Sequence, residues 1–351
     1  MHGAEKNQLQ DNPYLSIVIV SRNDNHSANM YRRMQVCIDG IISQMERKKI
    51  SSELILVEWI PPNGRPLIKD IYSWPSKLGY CRVRTVVVPS STVGNYDWSE
   101  DYSIRDLTPW NVGIRRARGE FILSTVIDIL LSEELVDFFA NKKLEKDKMY
   151  RIDRCDVNRR VLDITTIDEQ LKYCEQNIID MYTPGPFEFL LKRKIPILHD
   201  KAPGDFMLFS RERWHLIHGF PEGISPGADD LLLYMAHLSG AKQYVFKKPL
   251  SLYHIDHDSK WKKPSYVFLK KVLNKLKLPY HLVEILAGVG CKFIPSKSYL
   301  DKANIVYTQK DYVKNLIIDM VEGRRSYVYN GDNWGLGDKQ MEEFIVVGAR
   351  M

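Results

Sequence analysis

The sequence predicts an α/β fold, a mixed and mainly parallel sheet flanked by helices. Three observations carry this. Tyr14–Val20, Glu53–Trp59 and Val83–Val88 are near-continuous apolar runs, the signature of strands buried on both faces. Between the first two, Met34, Ile38, Ile41, Ile42 and Met45 recur at helical spacing within Met30–Lys49. The runs stop at Ser21–Asn25, at Pro61-Pro62-Asn63-Gly64 and at Pro89. Strand, helix and strand at this spacing form a βαβ unit with a right-handed crossover.

Composition places the chain among ordinary globular proteins. It has 351 residues, 44% of them hydrophobic and 27% charged, enough for one large domain with additions or for two domains. A net charge of +6 fits an anionic ligand or membrane surface and is too weak to argue for nucleic acid. Cys37, Cys81, Cys155, Cys174 and Cys291 form no CxxC pair, which fits reduced thiols in a cytoplasmic protein and disfavours a zinc site. Residues 1–13 are polar, read as a flexible tail and not as a signal peptide. No apolar run approaches the roughly 18 residues that span a bilayer.

The remaining elements follow in order. Residues 95–108 form a polar, aromatic loop, and Phe121–Asp128 is an apolar strand ending on a lone carboxylate. Ser132–Asn141 reads as a helix with Ser132 as N-cap and Glu133 and Glu134 in its first turn. Met149–Arg154 is a strand, 156–203 a charged and less regular insertion, and Asp205–Ser210 another strand. Asp229–Ser239 is a helix closed by Gly240, and Tyr244–Tyr253 a strand interrupted by Pro249. Residues 266–286 turn helical, basic and amphipathic, either a solvated helix face or a peripheral membrane contact. Two further helical stretches are expected within 301–351, around Asn330–Leu336, so that 263–351 form a mainly helical C-terminal extension.

Several residues carry chemistry. A carboxylate at the mouth of a buried strand is costly unless paired or bound, and ligands of open α/β sheets sit at that edge. Asp128 there suits a divalent cation that itself holds a diphosphate; the alternative, a helix cap, is better filled by Ser132. Ser21, Arg22, Asn23 and Asp24 leave the first strand with groups that bind a nucleotide's base and phosphates, or that simply build a turn. Glu58, closing the second strand, accepts from a base imide or ribose hydroxyl, or is a carboxylate beside Trp59. Asn111 and Arg115 lie on a short helix before Gly119. Asp229 and Asp230 open a helix after a Gly/Pro-rich loop, one as a cap and the other as a spare acid for general-base work, with Asp230 ahead of Asp229. His254 and His257, interleaved with Asp256 and Asp258, can supply a metal ligand, and which imidazole points inward stays open. No P-loop, no GxGxxG after the first strand and no GxSxG elbow occurs, which counts against a P-loop NTPase, a Rossmann dehydrogenase and a common esterase.

Taken in order, these pieces resemble the GT-A glycosyltransferases, most nearly the family 2-like group, over roughly residues 14–260. The first strand with Ser21-Arg22-Asn23-Asp24 resembles that family's nucleotide-binding opening. Asn111, Gly113, Ala117, Gly119 and Glu120 match its N-x-G-x-x-x-A-x-G-E stretch, Asp128 the last acid of its D-x-D motif, and Asp229-Asp230 its E-D pair. Val126 stands where the first acid of D-x-D would be. The resemblance implies a GT-A (Rossmann-like) domain over 14–262, with a nucleotide-sugar half to about residue 130 and an acceptor half from 131 to 262. It implies a nucleoside-diphosphate sugar as donor, a glycan or other hydroxyl acceptor, and Mn2+ or Mg2+ held by Asp128 with His254 or His257. Transfer is then inverting, with Asp230 as base and with Arg22 and Arg115 steadying the donor phosphates. The alternatives are an inactive nucleotide-sugar-binding scaffold, motivated by Val126, and a nucleotidyltransferase.

Overall fold

In a computed structural model describing residues 12–25, 29–93, 107–183, 195–224, 227–257, 272–273, 286 and 311–346, the three apolar runs become neighbouring parallel strands. These are β1 (Leu15–Ser21), β2 (Ser52–Trp59) and β3 (Cys81–Val88). Leu15 to Ser21 pair in register with Ser52 to Glu58, and β2 continues the ladder onto β3. Helix α1 (Met30–Arg47) makes the crossover from β1 to β2, and its Met34, Ile38, Ile41 and Met45 are buried against the sheet. Two four-residue helices, α2 (Ile68–Ile71) and α3 (Ser90–Val93), follow β2 and β3.

Helix α4 (Thr108–Arg116) leads into β4 (Phe121–Thr125), which lies parallel to β1 on its other side. The glycines of this stretch have a packing reason. A Cβ on Gly113 would stand 2.5 Å from Val18 Cγ1 and 2.9 Å from Val57 Cγ2, so the missing side chain lets α4 lie flat on β1 and β2. A Cβ on Gly119 would stand 2.5 Å from the Ser16 backbone nitrogen, where β4 begins beside β1.

The strand expected over Phe121–Asp128 ends at Thr125; after a turn the chain enters β5 (Ile129–Leu131) of a second sheet. Asp128 therefore sits in the connection between two sheets. Helix α5 (Glu133–Ala140) follows, its first turn capped by Ser132 Oγ, which accepts from the Leu135 amide. The expected strand Met149–Arg154 also divides, into β6 (Lys148–Ile152) of the large sheet and β7 (Arg154–Val157) of the small one. Helix α6 (Ile167–Gln176) and strand β8 (Ile178–Tyr182) come next. Strand β9 (Phe206–Ser210) and helices α7 (Arg211–Leu216) and α8 (Ala228–Leu238) follow. Pro249 breaks the last predicted strand into β10 (Lys242–Phe246) and β11 (Leu252–Ile255), again in different sheets.

Among the described residues the large sheet runs β10-β6-β9-β4-β1-β2-β3-β12 and the small one β5-β11-β7-β8. The C-terminal part holds a helix over 311–321. The stretch around Asn330–Leu336, expected to be helical, forms successive turns, and Glu342–Val346 is a strand, β12, antiparallel to β3 at the sheet edge. The 266–286 helix falls almost wholly outside the described residues, as do the tail and most of the 95–108 loop. No helix among the described residues is long and apolar enough to cross a membrane. The four described cysteines are free and buried.

Candidate active site

The parallel strands β1, β2 and β4 end on one edge, where the β1 loop, the end of β2 and the turn carrying Asp128 lie. The β1 loop is held from below. Asn23 is buried with φ near 54°, and its amide donates to Glu58 Oε1 at 2.7 Å and to the Pro66 carbonyl at 2.8 Å. Glu58 is fully buried, and its other oxygen accepts from the Ile68 amide at 2.9 Å. Burial pushes the Glu58 carboxyl up, against the pull of the Ile68 and Asn23 hydrogen bonds. Ser21 Oγ accepts from the Asn23 amide at 3.2 Å. Glu58 thus ties two loops together, while Arg22 and Asp24 pair with each other at 3.3 Å nearer the surface.

The centre of the edge is a carboxylate between two imidazoles. Asp128, 3% exposed, has Oδ1 3.5 Å from His254 Nε2 and Oδ2 3.2 Å from His257 Nε2. One ligand atom from each of the three residues lies within 4.8 Å of the others. A guanidinium joins them from α1: Arg33, 1% exposed, donates from Nη1 to Asp128 Oδ2. Burial alone would raise the Asp128 carboxyl, but His254, His257 and Arg33 hold it well below the usual carboxylate range. Asp128 is therefore an anion in the folded chain.

His254 arrives through strand register. β11 pairs parallel with β7, placing His254 beside Asp156, whose Oδ1 lies 3.0 Å from His254 Nδ1. A carboxylate on one ring nitrogen fixes the imidazole's orientation and leaves the other nitrogen to face a ligand. Burial works to lower the His254 pKa, yet Asp128 and Asp156 keep it raised. The chain of charges continues. Arg154 donates to Asp156 Oδ1 at 2.8 Å and to Asp205 Oδ2 at 2.7 Å, with its guanidinium over the Tyr182 ring at 4.2 Å.

Asp205 leads to the second acidic group. It ends a 3-10 turn, Pro203–Asp205, that packs beside the start of α8, where a Cβ on Gly204 would lie 3.5 Å from Asp229 Oδ2. Asp229 and Asp230 occupy the first turn of α8, after Gly227 at φ 102°, and Asp229 Oδ1 accepts from the Asp230 amide at 3.1 Å. Burial raises the Asp229 carboxyl, Arg151 opposes, and Asp205 raises it further. Arg151 is fully buried and donates to the carbonyls of His199, Lys201 and Pro203, shaping the loop that faces these acids. Its own pKa is pushed down to about 10 by burial, with Asp205 and Asp229 opposing.

Asn111 and Arg115 lie elsewhere. The Asn111 side chain is fully buried, donating to the Phe220 carbonyl and Glu222 Oε1 and accepting from the Phe220 amide. Arg115 donates to the carbonyls of Asp332 and Trp334 and lies 5.2 Å from the Trp334 ring. Asn111 is thus committed to the Phe220–Glu222 turn and Arg115 to the C-terminal segment, which departs from the expectation that Arg115 steadies donor phosphates.

Four residues of this edge escape a reading of the sequence, namely Arg33, Arg154, Asp156 and Asp205. Three of them carry a local signal. Arg33 interrupts the apolar stripe of α1, and Arg154 and Asp156, two apart on a strand, share one face.

The donor set of Asp128, His254 and His257 fits a divalent cation. One oxygen and two nitrogens suit a borderline first-row ion better than magnesium, which prefers an all-oxygen shell.

No family model matches the chain, and no curated protein matches it. Among solved structures, S. aureus TarS residues 1–349 is similar at 16% identity, covering 77% of this chain and 68% of that one with a TM-score of 0.43. The same fragment in complex with UDP is 14% identical with the same coverage and TM-score. Its complex with UDP-GlcNAc is 15% identical, covers 78% of this chain and 66% of that one, and has a TM-score of 0.38.

Proposed function

We propose that this chain transfers a sugar from a nucleoside-diphosphate sugar to a hydroxyl acceptor in a single inverting displacement. The observation that supports this most is the meeting of Asp128, His254 and His257 within 4.8 Å, on the sheet edge where α/β proteins bind ligands. A divalent cation held by these three supplies charge neutralisation to the leaving diphosphate. The β1 loop, from Ser21 to Asp24, receives the nucleotide, with Glu58 fixing the loop through Asn23. Asp230, at the start of α8, takes the proton from the acceptor hydroxyl as that oxygen attacks the anomeric carbon. Asp229 helps to position that turn, and Asp205 links it through Arg154 and Asp156 to His254.

The test is a sugar-nucleotide panel read by thermal shift and transfer, with and without Mn2+. Asp230→Asn is expected to lose transfer by about 10²–10⁴-fold, the range of a general base, while retaining donor binding. Asp128→Ala is expected to weaken donor binding and blunt its dependence on Mn2+. Normal transfer by both variants would refute the assignment. Donor binding by the parent chain with no turnover across many acceptors would favour a binding scaffold, and release of pyrophosphate a nucleotidyltransferase.

A further inference from the structure

Resting on that reading of the pocket, we propose that Arg33 is a built-in counter-charge that competes with the divalent cation for Asp128. The cation is then taken up together with a nucleoside diphosphate and held poorly without one. Asp128 is the sole carboxylate of the three-residue ligand set, since Val126 occupies the position two residues earlier. Its charge is already answered by Arg33, a 1%-exposed guanidinium presented from the buried face of α1. Imidazoles ligate in neutral form, so Asp128 and Arg33 together offer an arriving ion no net negative charge.

The next anion outward gives no relief. Asp156 is paired with Arg154 at 2.8 Å, and Arg154 shares its charge with Asp205 at 2.7 Å. A diphosphate supplies the missing negative charge directly. By linkage, the factor by which the nucleotide tightens the cation equals the factor by which the cation tightens the nucleotide. Arg33 does not touch the reacting atoms; it sets the order and mutual dependence of binding, and so is a positioning residue.

The experiment titrates the full chain with Mn2+ alone, and with Mn2+ in the presence of UDP, by calorimetry and Mn2+ electron paramagnetic resonance. In the parent protein UDP is expected to tighten Mn2+ at least tenfold, and Mn2+ to tighten UDP by the same factor. Arg33→Met is expected to bind Mn2+ alone at least tenfold more tightly than the parent and to gain more melting temperature from it. Arg33→Lys, which keeps the charge, is expected to stay near the parent value.

Equal or weaker Mn2+ binding by Arg33→Met overturns the proposal, as does parent Mn2+ affinity that UDP leaves unchanged. Should Arg33→Met fail to fold, because it strands a buried carboxylate, Arg33→Gln, which removes the charge and keeps a donor for Asp128, decides by the same Mn2+ titration: tighter Mn2+ than the parent supports the proposal, and equal or weaker binding overturns it. Mn2+ binding that ignores Arg33 ends only this inference. No Mn2+ binding in any protein, with or without UDP, ends the cation pocket itself.

Discussion

A carboxylate held against its own solvation is costly for the fold, and Asp229 is such a group. Its pKa is raised by burial beside the 203–205 turn, which outweighs the backbone hydrogen bonds it accepts and the pull of Arg151, with Asp205 adding a smaller repulsion. An acid whose folded pKa lies above its unfolded value stabilises the fold fully below about pH 4, where it is protonated in both states. That contribution is lost as pH rises through the folded pKa. Asp229→Asn removes the charge and keeps an acceptor for the Asp230 amide. It is therefore expected to melt at a higher temperature than the parent at pH 7, with the gap closing as pH falls toward 4. Melting curves across that range check this, and an Asn variant less stable at pH 7 would show that the charge is compensated. If the same variant also transfers sugar more slowly, Asp229 is kept for chemistry at the expense of stability, as strained functional groups are.

At the level of elements, the parallel strands were legible because burial on both faces leaves them almost no polar residues, and α1 because its apolar stripe is regular. Asp128 stood out for the same reason: one acid closing an apolar run. What escaped notice depends on pairing across the fold. Asp156 is an ordinary strand residue until the parallel register of β7 with β11 sets it against His254, and no local pattern announces that register. Arg33 looked like one more cation on an amphipathic helix. The Gly113 to Gly119 stretch matches a motif in the sequence, and its physical reason is close packing, of α4 on β1 and β2 at Gly113 and of the chain entering β4 against Ser16 at Gly119. Gly113→Ala would push a methyl to 2.5 Å from Val18 Cγ1 in a filled core, and overpacking of this kind costs about 1–3 kcal/mol. Denaturant unfolding is expected to show that loss. Gly331→Ala, which meets nothing within 4 Å, should leave stability nearly unchanged, and equal effects from the two would refute the packing account.

Across the whole molecule, the C-terminal segment behaves as part of the main fold and not as a separable extension. Strand β12 closes the sheet beside β3, where Glu343 accepts from Arg84 at 2.7 Å while Arg84 also pairs with buried Glu53 at 2.7 Å. The turns at 330–339, expected to be helical, are held instead by partners distant in sequence: they accept five hydrogen bonds at 2.7–3.1 Å from Arg115 Nη1 and Arg116 Nη1 and Nη2 at the carbonyls of Asp332, Trp334, Gly335, Leu336 and Lys339. Val313, Leu316, Ile317 and Met320 are buried in the same core as α8, and a Cβ on Gly227 would lie 3.2 Å from Val313 Cγ2. The 311–321 helix therefore braces the turn that presents Asp229 and Asp230. Trp334, 4% exposed and stacked on His218, anchors the segment, and truncating a buried aromatic of this size costs about 3–5 kcal/mol. A chain ending at residue 310 is expected to lose its cooperative thermal transition, and Trp334→Ala to lower the melting temperature while weakening transfer more than donor binding. The asymmetry follows from position, because the brace packs beside the turn that carries Asp229 and Asp230. A truncated chain with an unchanged melting curve would make 14–262 a self-sufficient domain, and a Trp334→Ala variant weakened equally in donor binding would place the brace under the whole edge.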